Sequence, residues 1–570
     1  MTRSGGTGTR RAAAVVLIAA LALAACTNSG PLPLVPSTPG MSVVPEQTLN
    51  EVVVGVDDVK GSYNPHTIAG QTTITTALTS LLLPSVFRAA PDGTPNLDTT
   101  LMVSAQVTKT EPYTVGYTVR QDASWTDTAP VAAEDFVYLW QRMRGEPGVV
   151  DPAGYRLISN IASRDGGKTV EVTFSKPYPG WRSLFGNLLP AHLLKDQPGG
   201  WATALADSFP ATAGPFQVKT LDQPRGEIVL ERSDRYWGQA TALDRVVLRR
   251  ASHEGIASAL RDRDDQAALI RADAIALNTI ADVAKTAPLV SKPVPRPEVV
   301  QVLLRPAAAQ LADPKVRQAV LAALDREALI AVGTGNGPGA QLRADSQITP
   351  PSKPGYVPTI PPGTGQDLAA TTRLLGEAGY TRPDGGVWSR DGKPLTLTIA
   401  APEGAEPYNT VANQVQRQLA LAGIQAKVIS PPANQLFGED FLDSPNGGQG
   451  ATVDITVVPQ VDTGDSAATL ASAFGCRPSI VDGSTPIPAN LLGFCDQTLQ
   501  PTIDAALSGR MLLSEALAKI EPVLWQQAVA LPLFQVADFL VVLPEARGAD
   551  VGAPFAGPLS GAAGWRRERG

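Results

Sequence analysis

The sequence predicts a mixed α+β fold, on three observations. Runs rich in β-branched residues alternate irregularly with Ala/Leu-rich runs of helical period. Gly and Pro number 52 and 50, so connections are frequent and kinked. No fixed-period repeat is present. At 570 residues the chain can form three or four domain-sized units, or one discontinuous two-lobed body.

The elements follow in chain order. Arg3, Arg10 and Arg11 precede an uncharged apolar run, Ala12 to Ala25. At roughly fourteen residues it suits a signal-peptide core and is too short for a membrane-spanning helix. It closes on Leu23-Ala24-Ala25-Cys26, which resembles a bacterial lipobox. That motif implies removal of residues 1–25 and acylation of Cys26, so the chain is exported and held by lipid on the outer face of the cell membrane. The alternative is an ordinary secretory signal. Residues 26–50 are rich in Pro, Ser and Thr and read as a flexible tether.

Folded sequence begins at Glu51-Val52-Val53-Val54-Gly55-Val56, a short buried strand by pattern. Tyr113 to Val119 reads as a strand, and Asp165-Gly166-Gly167 as a hairpin turn leading into Thr169 to Phe174. Helices are expected over Ala133 to Arg144, Pro314 to Ala331, Asp367 to Ala378 and Val411 to Ala422. The second has Asp313 as N-cap and Pro314 in its first turn. Arg317 and Asp325, eight apart on that helix, would share a face and pair.

The formal net charge is −7, and about −10 once the three signal arginines are removed. With no Lys/Arg run in the folded part, nucleic acid is a poor partner, and so is a lipid surface bound by charge alone. Besides Cys26 the chain has Cys476 and Cys495. In an exported protein these form a candidate disulfide, closing a loop of about eighteen residues worth roughly 3 kcal/mol; two free buried thiols are the alternative.

Catalytic signatures are missing. His66, His192 and His253 are dispersed, with no second ligand at zinc-binding spacing. There is no Gly-x-Ser-x-Gly elbow. Gly167-Lys168-Thr169 resembles the tail of a phosphate loop, but Ala162 stands where its first glycine belongs. Gly333, Gly335, Gly337 and Gly339 follow a helix as a flexible segment rather than joining strand to helix. No metal, cofactor or catalytic residue is therefore expected.

Several stretches occur in an order that resembles the family 5 extracellular solute-binding proteins, the peptide-binding lipoproteins of ABC importers. They include Ser62-Tyr63-Asn64-Pro65-His66, Ala123-Ser124-Trp125-Thr126-Asp127, and Pro130 to Phe136. Phe174-Ser175-Lys176-Pro177-Tyr178-Pro179, Gly214-Pro215-Phe216, Tyr236-Trp237-Gly238, Asp313 to Ala319 and Leu374 to Tyr380 continue the order. Leu82 to Arg88, Val149 to Tyr155 and Pro354 to Thr359 are similar to a mycobacterial branch linked to phosphatidylinositol mannoside and lipoarabinomannan assembly. Trp125, Trp140 and Trp237 read as core packing rather than as ligand platforms.

The resemblance implies two lobes closing on a ligand, with an extra subdomain in the first. Lobe I would span 51–305 with an insertion at about 88–205, lobe II 306–525, and the chain would return to lobe I over 526–565. Peptide-binding members carry Gly-Trp-x-x-Asp in the second lobe, its aspartate pairing with the ligand amine. Here Val457 to Asp465 lacks the glycine and tryptophan, leaving Asp462 or Asp465 to supply the carboxylate, or to serve as turn residues. Tyr63, Asn64, Gln71, Arg305 and Gln460 are the other cleft candidates, by position in the matching motifs.

The expected function is ligand binding by an anchored, monomeric receptor in cell-envelope glycolipid assembly. The ligand is a glycolipid headgroup, and a membrane mannosyltransferase is the implied partner. The alternatives are a peptide receptor feeding an ABC permease and an exported hydrolase on an unrelated fold. Aromatics total only 5%, so sugars would be held by Asn, Gln, Arg and Asp side chains.

Overall fold

A computed structural model of the protein describes residues 49–90, 93–438, 453–476, 490–550 and 556–568. Cys26, the signal segment and most of the tether lie outside them. Ten strands form one sheet: β1 (Glu51–Val56), β2 (Phe216–Asp222), β3 (Glu227–Arg232), β4 (Arg245–Arg250), β5 (Ala267–Arg271), β6 (Val290–Leu304), β7 (Thr396–Ala400), β8 (Gln425–Ile429), β9 (Ile455–Val461) and β10 (Ala530–Val542). Their order is β8-β7-β9-β6-β10-β5-β1-β4-β3-β2. β1 is parallel to both its neighbours, and β7 to both of its own. Val52, Val54 and Val56 of β1 are buried, as an apolar strand with both sides paired requires.

The fold has two lobes. β1 to β5 belong to the first and β7 to β9 to the second, while the long strands β6 and β10 run through both. Residues Val290 to Pro295 of β6 pair with the far half of β10, the half that also pairs with β5. Residues Val299 to Leu303 pair with its near half, and Glu298 to Leu304 pair with β9. The register slips between Pro295 and Val299 and again between Val300 and Gln301, so the irregularity falls where the lobes meet. There Arg296 Nη2 donates to Glu298 Oε1 at 2.5 Å, and its Nε lies 4.0 Å from Asp538 Oδ2 on β10.

A four-stranded antiparallel sheet, residues 102–174, adds a layer to the first lobe in the order 102–110, 113–119, 169–174, 158–164. Val115, Tyr117 and Val119 alternate inward, as do Val170, Val172 and Phe174. They pack on Trp125, Phe136, Trp181 and Phe185 in a continuous core. Trp125 is fully buried, and its Nε1 donates to Asp135 Oδ2 at 3.2 Å. In the second lobe, helices Pro314–Ala322, Arg326–Gly333 and Tyr408–Leu421 cover β6, β7 and β9.

Three expectations need correction. The helix expected over Pro314 to Ala331 is two helices, because Asp325 turns extended and accepts from Ala328 N at 3.0 Å as a new N-cap. Arg317 consequently does not pair with Asp325; its guanidinium donates to the Leu311, Ala312 and Gln527 carbonyls. The glycine segment is packed, not loose: a Cβ on Gly337 would lie 2.4 Å from Asp273 Cα. Asp313 does cap its helix, accepting from Lys315 N at 2.9 Å.

Both ends of the described body meet in the first lobe. Arg567 N donates to Asn50 Oδ1 at 3.2 Å, and its guanidinium to Glu51 O at 3.1 Å. Among the described residues no helix is long and apolar enough to cross a membrane.

Candidate functional site

A cavity of about 1260 Å³ opens between the lobes. The first lobe contributes Gln71, Asn187, Asp151, Tyr178, Gly180 and Arg182 to its wall; the second contributes Lys353, Asp462, Thr463 and Asp465. A smaller cavity of about 70 Å³ adjoins it, sharing Val150, Asp151 and Val461 and adding Gln301 and Gln460.

The second-lobe wall is built by the end of β9. The chain leaves the strand through Asp462-Thr463-Gly464-Asp465 and enters the helix Ser466–Phe474, whose N-cap is Asp465, accepting from Ala467 N at 3.0 Å. Asp462 turns inward with its side chain 4% exposed. Lys353 reaches it from the proline-bounded turn Pro350 to Pro354. Its Nζ donates to Asp462 Oδ2 at 2.7 Å and Oδ1 at 2.9 Å, to Ser466 Oγ at 2.8 Å and to Gly464 O at 3.1 Å.

The opposing wall touches this one directly. Asp151, in the left-handed region at φ 45°, presents Oδ2 to the Thr463 and Thr469 hydroxyls at 2.9 and 2.7 Å. Tyr178 donates its hydroxyl to Asp465 Oδ2 at 2.7 Å. Ala153 N donates to Ser472 Oγ at 3.2 Å. Burial, reinforced by the negative charge of Asp462, pushes the Asp151 carboxyl up to about 7. Burial likewise raises the Tyr178 phenol, with the Asp465 carboxylate acting in the same direction. His66 is driven down to about 4 by burial, so its imidazole is neutral beside the Asn187 carbonyl.

The residues singled out from sequence divide into three groups. Asp462, Asp465 and Gln71 line the large cavity, and Gln460 the small one. Gln71 Nε2 is engaged by the Pro65 and Thr67 carbonyls, and Gln460 accepts from Gln301. Tyr63, Asn64 and Arg305 are buried side chains that line neither cavity. Tyr63 donates to Val59 O at 2.7 Å, Asn64 Oδ1 accepts from His66 N, and Arg305 donates to the Val453 and Leu491 carbonyls. Cys476 and Cys495 are joined as a disulfide. Among the described residues no three His, Cys, Asp or Glu side chains gather at metal-binding distance.

Sequence reasoning missed Asp151, Tyr178, Arg182 and Lys353 as wall residues. Asp151 and Tyr178 sat inside motifs noted only as family markers. Nothing local marks Lys353, whose partner lies 109 positions later.

Comparison with known proteins agrees with this architecture. The family model for bacterial extracellular solute-binding proteins, family 5 Middle, matches residues 102–472. The probable monoacyl phosphatidylinositol tetramannoside-binding protein LpqW of Mycobacterium tuberculosis is 36% identical, with 97% of each chain covered. The oligopeptide-binding protein OppA of Mycobacterium bovis is 31% identical over 34% of this chain and of its own length. Among solved structures, the oligopeptide-binding protein AppA of Bacillus subtilis in complex with a nonapeptide superposes with a TM-score of 0.72 at 17% identity, over 91% of this chain and 100% of that one. The periplasmic EDTA-binding protein EppA gives 0.70 at 23%, over 91% and 97%. The family-model match over residues 102–472, with 36% identity to a relative across 97% of each chain and a two-lobed architecture that agrees, makes this chain a member of the bacterial extracellular solute-binding proteins, family 5.

Proposed function

We propose that the protein is a lipid-anchored extracytoplasmic receptor whose interlobe cavity holds the headgroup of a mannosylated phosphatidylinositol, and that it serves assembly of that glycolipid class. The observation that carries this is the 36% identity, across nearly the whole of both chains, with a protein named for binding monoacyl phosphatidylinositol tetramannoside. The cavity supports it in size: about 1260 Å³ exceeds the roughly 300–1,000 Å³ of common small-molecule sites and suits several linked sugars. Its wall mixes aromatic side chains such as Phe87, Tyr155 and Tyr236 with hydroxyl-pairing groups at Asn187, Thr463, Asp151 and Asp465. The Arg182 guanidinium, stacked 4.4 Å from the Trp181 ring centroid, lines the same cavity and suits a phosphodiester.

On this proposal residues 1–25 are removed and Cys26 carries the lipid. Lobe I spans 51–305 with its insertion at about 88–205, lobe II spans 306–525, and residues 526–565 return to lobe I. The partner class is a membrane mannosyltransferase, and lobe closure on the headgroup is the signal it reads.

Native mass spectrometry of the protein purified from an actinobacterial host tests the proposal. A mannosylated lipid released from the folded protein is expected. Release of peptides instead would overturn it and favour delivery to an ABC permease.

A further inference from the structure

The four oxygens around Lys353 Nζ form a complete ammonium site in the cavity wall. Asp462 supplies both carboxylate oxygens, Ser466 its hydroxyl and Gly464 its carbonyl, all within 3.1 Å. An ammonium has only three N–H donors, so this set satisfies it with one acceptor to spare. The carboxylate is nearly sealed, 4% exposed, whereas the lysine side chain keeps 20%. The cation's own stem thus enters from the cavity side and closes the pocket. Pro350, Pro351 and Pro354 hold the backbone of that turn stiff, with Lys353 N donating to Pro350 O at 3.0 Å.

We infer that Lys353 is a built-in occupant of an ammonium pocket and acts as a specificity-determining residue, barring ligands that would dock here through a primary amine. A ligand ammonium could reach Asp462 only by displacing a tethered cation already present at high effective concentration. Placed beside Lys353 instead, it would meet a like charge in a partly desolvated wall. Neutral hydroxyl-rich groups and anions meet neither obstacle, because Lys353 already pairs with Asp462. The Lys353 pocket bears on specificity only if the interlobe cavity is the binding site, as proposed above. Its existence can be read without any glycolipid.

The test is chemical rescue of Lys353→Ala in the full chain, followed by thermal unfolding. Ethylammonium chloride is compared with tetramethylammonium chloride and NaCl at equal ionic strength. Ethylammonium has so few heavy atoms that its Kd will be no tighter than about 1 mM, so about 100 mM is used. K353A should melt below the parent protein, and ethylammonium should raise its Tm while tetramethylammonium, which cannot donate, does not. The parent protein should respond equally to all three salts. The double variant Lys353→Ala/Asp462→Asn should fold and lose the selective response. If K353A does not fold in NaCl, refolding in ethylammonium chloride is expected. Equal effects of the two organic cations on K353A, or failure to refold with either, would overturn the inference. Loss of glycolipid binding by the parent protein would overturn the proposed function and leave the rescue untouched.

Discussion

Gly180 lies so close to Asp465 that a Cβ on it would stand 1.9 Å from carboxylate Oδ2. The two residues belong to opposite lobes, and their approach is what lets the neighbouring Tyr178 hydroxyl reach the same oxygen at 2.7 Å. Gly148 does likewise at Phe437, where a Cβ would fall 2.8 Å from the carbonyl oxygen. Glycine at these positions serves the contact between lobes and its own lobe as well: a Cβ on Gly180 would also stand 2.8 Å from Tyr178 Cζ, and Gly148 sits at φ 64°.

Gly180→Ala should therefore leave each lobe folded and oppose their contact. A clash of this kind costs about 1–3 kcal/mol, felt most by the closed form, where Asp465 Oδ2 blocks the Cβ at 1.9 Å, while the Tyr178 ring 2.8 Å away must also give. Ligand affinity should fall roughly tenfold to a hundredfold, and small-angle scattering should show a larger radius of gyration without ligand. An unchanged radius and affinity would show that the approach carries no energetic weight.

Asp151 supplies a pH dependence. Its carboxyl holds a proton up to about pH 7 in the folded protein, against 3.8 for an unperturbed aspartate. The folded form therefore binds more protons between these values, and stability falls as pH rises. The contribution is whole below about pH 4 and is lost on passing pH 7. Asp151→Asn keeps an acceptor for Thr463 and Thr469 and tolerates the left-handed backbone. The variant's Tm should exceed that of the parent by more at pH 8 than at pH 5. Parallel Tm curves across that range would contradict this.

The Cys476–Cys495 bridge closes a loop of sequence separation 19 in the second lobe. Its replacement by two serines should lower stability by about 2–4 kcal/mol, mainly through a freer unfolded chain. Denaturant unfolding should show the loss, and a reducing agent should produce it in the parent protein but not in the variant. Indifference of the parent protein to reduction would count against it.

How much was legible in the sequence depended on the range of the interaction. β1, the 113–119 strand and the turn at Asp165–Gly167 were readable because period and turn chemistry act over a few residues. The Asp313 cap was equally local. The break at Asp325 was missed because its apolar flanks continue the helical period, while its own side-chain cap and the distant Gln418, which bonds its N–H and carbonyl, hold the turn. Asp462 and Asp465 were legible as wall carboxylates from motif position, but their states were not. One is filled by Lys353 and the other is met by Tyr178, 287 positions earlier. Tyr63, Asn64 and Arg305 line neither cavity: the Tyr63 hydroxyl, Asn64 Oδ1 and the Arg305 guanidinium are each engaged by backbone groups.

The meeting of Asn50 with Arg567 has a mechanical corollary. On the proposed anchoring, a pull on the chain upstream of Asn50 enters at the start of β1, an interior strand, and at the C-terminal segment bound to it, all within one lobe. The half carrying β7 to β9 joins that mount through β6 and β10, and on the proposed function it is the half that moves. If the proposed membrane partner exists, it would sense ligand through displacement of the distal half, with the proximal half serving as a fixed mount.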